Sequence, residues 1–214
     1  MKNKRTYFIY FAGDLFNAKD LLGNAAMADA IFRVSNGKYK CILPQDLVQD
    51  KARPKDIRDS DILNLLSADI AIFNFDGSEL DSGTVVEYMF AKFADIPALQ
   101  LRTDFRNGGD CVNENSDTVY PPWNLMASFY PRSEVLLLNT AQYYALVDEK
   151  DSFKRMMCVI ENMANKIVPV LDNLLKTKPL MQKKSKQVIY DWLATMPSLN
   201  PKTKTKLKRI LSKK

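Results

Sequence analysis

Asp69-Ile-Ala-Ile-Phe-Asn-Phe75, followed by Asp76-Gly-Ser-Glu-Leu-Asp81-Ser-Gly-Thr84-Val-Val-Glu87-Tyr-Met-Phe-Ala-Lys-Phe-Ala94, decides how the rest of the chain is read. The first seven residues form a short apolar run rich in branched and aromatic side chains, the signature of a buried strand. After it, Val85, Val86, Met89, Phe90 and Phe93 recur at helical spacing, so a helix is expected from about Thr84. The stretch is thus a strand–loop–helix turn with acids at 76, 79, 81 and 87. In open α/β sheets, ligands bind at the carboxyl ends of the strands. Carboxylates gathered at such an end can supply a nucleophile and a proton donor for glycosyl chemistry. Glu87 has a second reading. Thr84-Val-Val-Glu87 is a capping box, with Thr84 bonding the third helical amide and Glu87 reaching back. Both roles are compatible, because a glutamate in the first turn feels the positive end of the helix dipole and is favoured as the carboxylate.

Upstream, Thr6 to Ala12 reads as a strand closed by Gly13, which allows a tight turn and close backbone approach. A long helix follows through about Phe32, then a strand at 39–43 and a helix over Asp56–Leu66. Downstream, residues 97–101 and 135–138 read as strands, with a short helix at 139–149. Strands alternating with helices imply crossover units: a flavodoxin-like (Rossmann-like), doubly wound parallel sheet of five strands. The chain lacks Gly-x-Gly-x-x-Gly and Gly-Lys-Ser/Thr, which argues against a dinucleotide fold proper and a phosphate-cradling loop. Residues 102–122 form a long polar connection, read either as the rim of a site or as a surface loop.

From Ser152 to Leu175 runs an amphipathic helix with a wide, Met-rich apolar stripe. That stripe suits core or subunit packing first and a binding face second. Two more amphipathic segments follow, over 186–196 and after Pro201. Val188, Ile189, Trp192 and Leu193 are expected to pack on the body or on another subunit. Residues 176–214 carry twelve Lys/Arg and one acid, a net of +11, against +6 for all 214 residues, so residues 1–175 carry −5. The basic run is read as a solvated face, with nucleic acid an unlikely partner. The chain has no histidine and three scattered cysteines. This excludes Ser-His and Cys-His pairs and argues against a zinc site. No metal and no organic cofactor are implied. No apolar run reaches the ~18 residues a membrane span needs, and the N-terminus leads directly into a strand. A cytoplasmic protein without membrane contact is expected.

Asp81-Ser-Gly-Thr-Val-Val-Glu87-Tyr-Met-Phe-Ala resembles the D-x-G-x-x-x-E-x-x-x-A signature of the nucleoside 2-deoxyribosyltransferase family. Tyr10-Phe-Ala-Gly13-Asp-Leu-Phe16 is similar to that family's first loop, and Asn124-Leu-Met126 to its late Asn-containing segment. The three matches occur in the family's order. The resemblance implies an enzyme that moves 2-deoxyribose between a donor deoxynucleoside and an acceptor nucleobase by ping-pong chemistry with retention. Glu87 would attack the anomeric carbon to give a covalent intermediate, and Asp81 would protonate or hold the leaving base. Asp61 resembles the family's other functional aspartate, although a first-turn helix aspartate favoured by the dipole is an equal reading. Tyr10 would orient the nucleophile. Asn124, from a neighbouring subunit, would hold the sugar 5′-hydroxyl, implying a homo-oligomer with shared sites. Gly13, Gln45 and Asp14 would line the substrate pocket, Gln45 by position alone.

Two departures stand out. Asp14 follows Gly13 where many members carry Pro or an aromatic residue, and the C-terminal ~60 residues exceed the compact members. Residues 1–150 are therefore read as the catalytic domain and 151–214 as a helical extension with a basic tail. The runner-up activity is hydrolysis of the N-glycosidic bond of nucleosides or nucleoside 5′-monophosphates. Asn124 and the acidic Asp14 favour an uncharged 5′-hydroxyl and so favour transfer. A nucleic-acid-binding module is disfavoured because clustered carboxylates repel phosphate.

Overall fold

The continuous apolar runs of the sequence become strands covered on both faces. The computed structural model describes residues 5–47, 53–105 and 121–212. Strands β1 (Tyr7–Ala12), β2 (Tyr39–Ile42), β3 (Ile70–Asn74), β4 (Ala98–Arg102) and β5 (Ser133–Leu137) form one sheet. Its order is β2-β1-β3-β4-β5 and every pairing is parallel, as the alternating pattern predicts. The order reverses between β1 and β3. That is the switch point where the crossovers leave a crevice at the carboxyl ends of the strands.

Side-chain alternation divides the core in two. Tyr10 and Ala12 of β1, with Ala71 and Phe73 of β3, face helices α2 (Pro54–Ser67) and α3 (Ser82–Phe93). Ile9, Phe11, Ile70 and Ile72 face helix α1 (Ala18–Val34) and the long helix α5 (Ser152–Leu174). A short helix α4 (Thr140–Leu146) leads into α5.

The helices after residue 150 are present and dock on both faces. The α5 stripe buries Val159, Met163, Ile167 and Leu171 beside α1. Helices α6 (Lys183–Thr195) and α7 (Pro201–Leu211) join the α2/α3 face through Tyr190, Leu193, Ala194 and Leu207. Here Leu193 packs on the body as expected. The Tyr190 hydroxyl donates to Ala94 O at 3.1 Å, which turns the 190/193/194 arc inward. Val188 and Trp192 are consequently 70% and 64% exposed, and Ile189 only partly covered. Among the described residues no helix is long and apolar enough to cross a membrane. Most of the polar connection, and with it the question of whether it rims a site, lies outside the described residues.

Candidate active site

Helix α3 starts earlier than the capping-box reading predicts. Asp81 is its N-cap: Oδ2 accepts the Thr84 amide at 2.6 Å and the Thr84 hydroxyl at 2.8 Å. Aspartate caps as well as threonine does, and the space it needs explains its neighbour. A Cβ on Gly83 would lie 3.1 Å from Asp81 Oδ2. Glu87 therefore sits in the second turn, outside any box, and is available for another partner.

That partner is Tyr10. Its side chain leaves β1 toward α3, is fully buried, and its hydroxyl donates to Glu87 Oε1 at 2.6 Å. Burial pushes the Glu87 carboxyl up to about 7. The Tyr10 hydrogen bond pulls it back down, while the charges of Asp61 and Asp81 push it further up. Desolvation thus opposes the ionised form that the helix dipole favours. Tyr10 itself is held well above its ordinary range by burial, with the Glu87 and Asp61 charges adding to it.

Asp61 approaches from α2. Burial raises it to about 6, and its Oδ1 is buried with no hydrogen-bond partner. Because its charge acts on both Tyr10 and Glu87, the three groups form one electrostatic unit. Tyr10, Asp61, Asp81 and Glu87 are thus brought together beside the switch point.

The other expected residues lie around this unit in different ways. Gly13, next after β1, is buried, and a Cβ there would meet Asn74 Cβ at 3.0 Å, so packing room rather than turn geometry demands glycine. Asp14 is exposed; its Oδ1 accepts the Phe16 amide at 3.2 Å and its carbonyl accepts Asn24 Nδ2 at 3.0 Å. Gln45 donates from Nε2 to Leu21 O at 2.8 Å, tying the turn after β2 to α1. Asn124 is exposed, accepts the Met126 amide at 2.9 Å, and lines a groove of about 740 Å³ with Val85, Val86 and Met89. Val85 and Met89 lie about 200° around α3 from Glu87. Within one chain, Asn124 and Glu87 are therefore on opposite sides of that helix.

Of the acids of residues 76–87, Asp76 and Glu79 do not join this unit. Asp76 is structural: it accepts the Thr103 amide and hydroxyl, each at 2.5 Å, and the Asp104 amide at 3.0 Å. Glu79 is exposed. The sequence reading missed Arg102, which is 3% exposed and donates to Phe75 O at 2.8 Å and Gly77 O at 3.0 Å. It clamps the loop before α3 to the end of β4. The available signal was a charged residue closing the strand Ala98-Leu-Gln-Leu-Arg102. Gly77 sits in this loop at φ +104°, open only to glycine. Among the described residues no three His, Cys, Asp or Glu side chains gather as metal ligands.

Residues 9–126 match the family model described as nucleoside 2-deoxyribosyltransferase. Similar solved structures include a conserved protein from Enterococcus faecalis V583, 21% identical with a TM-score of 0.48, covering 78% of this chain and 98% of that one. Another is a 2-desoxiribosyltransferase from Leishmania mexicana, 23% identical with a TM-score of 0.44, covering 56% of this chain and 85% of that one. No curated protein matches the chain. The family match spans more than half of the sequence, from β1 through the Asp81–Glu87 turn to Asn124 and Met126, and the chain belongs to the nucleoside 2-deoxyribosyltransferase family.

Proposed function

We propose that the protein transfers 2-deoxyribose between a deoxynucleoside and a free nucleobase through a covalent intermediate on Glu87. The observation that carries this reading is the buried Tyr10–Glu87 hydrogen bond beside an Asp61 whose Oδ1 has no partner. A Glu87 oxygen attacks the anomeric carbon as the N-glycosidic bond breaks, and the bonding pair leaves with the base. The base departs readily only if its ring receives a proton. The geometry favours Asp61 as the donor, because Asp81 Oδ2 is already occupied by two Thr84 hydrogens. In the second half-reaction the acceptor base attacks the same carbon and the ester bond returns its electrons to Glu87. Asp61 then takes up the acceptor's proton. Two inversions give net retention. Tyr10 holds one Glu87 oxygen, leaving the other for attack.

Incubation with deoxyinosine and adenine, followed by chromatography, tests the reading. Deoxyadenosine and hypoxanthine are expected; free deoxyribose without deoxyadenosine would instead identify a hydrolase.

We further propose a homo-oligomer in which Asn124 of one copy serves the Glu87 site of the next. Val86, Phe93, Met126 and Phe129 are 55%, 58%, 76% and 70% exposed, an apolar surface suited to a second copy. Mixing inactive Glu87→Gln and Asn124→Ala proteins should restore up to about a quarter of wild-type turnover, the share of all sites that random two-fold pairing leaves intact. A mixture that stays inactive while exchanging subunits would refute shared sites.

A further inference from the structure

Helix α2 carries two aspartates, Asp59 and Asp61, which a helix turns about 200° apart. Asp61 acts on the Tyr10–Glu87 pair. Asp59 leaves the other side of the helix, and its side chain is only 2% exposed. Aspartate is almost never buried so far unless something pairs it. Its partners are Arg58, whose Nη2 donates to Oδ1 at 2.7 Å, and the Asn200 amide, which donates to Oδ2 at 3.4 Å. The same Arg58 nitrogen donates to Pro197 O at 2.6 Å.

Pro197 and Asn200 belong to the turn between α6 and α7, and Asn200 is the N-cap of α7. The Asp59 carboxylate therefore meets the positive end of that helix, where negative charge is favoured. Beyond the turn α7 packs against α2. Its buried Leu207 joins the core cluster that contains Leu63 and Leu66, one and two turns on from Asp59. The helix that carries Asp61 lies within the family match, and the helix that fastens it lies outside.

The rotation of α2 about its own axis is set by its neighbours, α3 with Glu87 and α7 of the extension. A side-chain group stands ~5–6 Å from a helix axis, so turning α2 by about 10° would carry the Asp61 carboxyl by ~1 Å. At a reacting centre a misplacement of that size costs up to about 10²-fold in rate.

We propose that Asp59 is a positioning residue. By fastening α2 to the α6–α7 turn it fixes the rotation of that helix and so the place of Asp61 beside Glu87, which gives the C-terminal extension a part in the reaction. The proposal rests on the reading of Asp61 as the proton donor.

Asp59→Ala in the full chain is the test, with two readouts. In hydrogen exchange, residues 54–67 should exchange faster than in wild type while β1 and β3 are unchanged; unaltered exchange over α2 overturns the proposal whatever the activity. In kinetics, kcat with deoxyinosine and adenine should fall ~10–10²-fold at nearly constant KM, with p-nitrophenyl deoxyriboside spared because its leaving group needs no proton. Asp59→Asn, which keeps an oxygen for the Asn200 amide, should restore most of the loss. Equal losses on both substrates would reduce Asp59 to a stabilising contact and overturn the proposal. If Asp59→Ala fails to fold, Arg58→Gln, which cuts the tie to Pro197 O from a half-exposed position, must show the same split between substrates. Asp61→Asn separates the two readings: equal losses there remove the donor itself, whereas a split there without one in Asp59→Ala overturns only the role of Asp59.

Discussion

Replacing Glu87 with Gln separates the charge of this side chain from its shape. Gln retains an oxygen for the Tyr10 hydroxyl, so the 2.6 Å hydrogen bond has a successor. What disappears is the ionisation that burial opposes. Below 4.5 the glutamate is protonated in the folded and unfolded chains alike, and nothing is lost. As pH rises from there to about 7, the unfolded chain releases its proton while the folded chain retains it, so folded stability falls and the loss is complete above about 7. Lifting the carboxyl from 4.5 to about 7 corresponds to ~3 kcal/mol between its two forms, and partial solvent access trims this to ~2 kcal/mol. For a chain of this size that is ~4–8 °C in Tm. Glu87→Gln should thus melt several degrees above wild type at pH 8 and nearly with it at pH 4.5, while transfer falls at least ~10³-fold. Lys92, pushed down to about 7 by burial and the Arg132 charge, makes stability rise with pH above 7 in both proteins, so only their difference is read. Scanning calorimetry at the two pH values is the assay. A variant less stable than wild type at pH 8, or one shifted equally at both, would refute the desolvation argument; retention of a tenth of the activity would refute the nucleophile.

Tyr10→Phe removes the hydrogen bond that lowers Glu87; with Glu87 near 7 and Asp61 near 6, the alkaline limb of kcat/KM should move up and its maximum fall; an unmoved limb would dissociate the pair. Asp61→Asn should slow transfer of natural bases ~10²–10⁴-fold while sparing p-nitrophenyl deoxyriboside, whose leaving group needs no proton. Equal losses on both substrates would remove Asp61 from the donor role. Gly13→Ala should destabilise by ~1–3 kcal/mol in denaturant titration, because its Cβ meets Asn74 Cβ, fixed on β3, at 3.0 Å; an unchanged midpoint would show that the two strand ends part freely.

The fold was legible because burial on both faces leaves apolar runs that no loop would carry, as in Ile70–Asn74 between β1 and β4. The Tyr10–Glu87 pairing was legible only through the resemblance: the two residues are 77 apart in sequence, and no periodicity links them. Local rules misassigned the start of α3 because Asp81 and Thr84 are both good caps, and the choice rests on which residue's oxygen the chain folds over. The protonation of Glu87 and Asp61 was not legible at all. A dipole can be read from helix position, but desolvation depends on what α2, α3 and β1 enclose together, which is a property of packing. The same holds for α6, where the Tyr190 hydrogen bond to Ala94 O, 96 residues away, selects which of two apolar arcs is buried.

Asp61 near 6 and Glu87 near 7 raise a question of order, since burial favours a proton on Glu87, which must be free to attack. In the free protein the singly protonated pair divides its proton between the two carboxyls. Substrate biases this division: a ring nitrogen of the bound base accepts a hydrogen bond only from protonated Asp61, which raises that carboxyl. The positive charge developing on the sugar lowers Glu87 at the same time. Free enzyme should therefore show a narrow kcat/KM bell between about 6 and about 7. The kcat profile, which reports the bound complex, should have its alkaline limb displaced upward. Superimposable profiles would mean that the base never reaches Asp61, and the donor would have to be sought at Asp81 despite its place as the cap of α3.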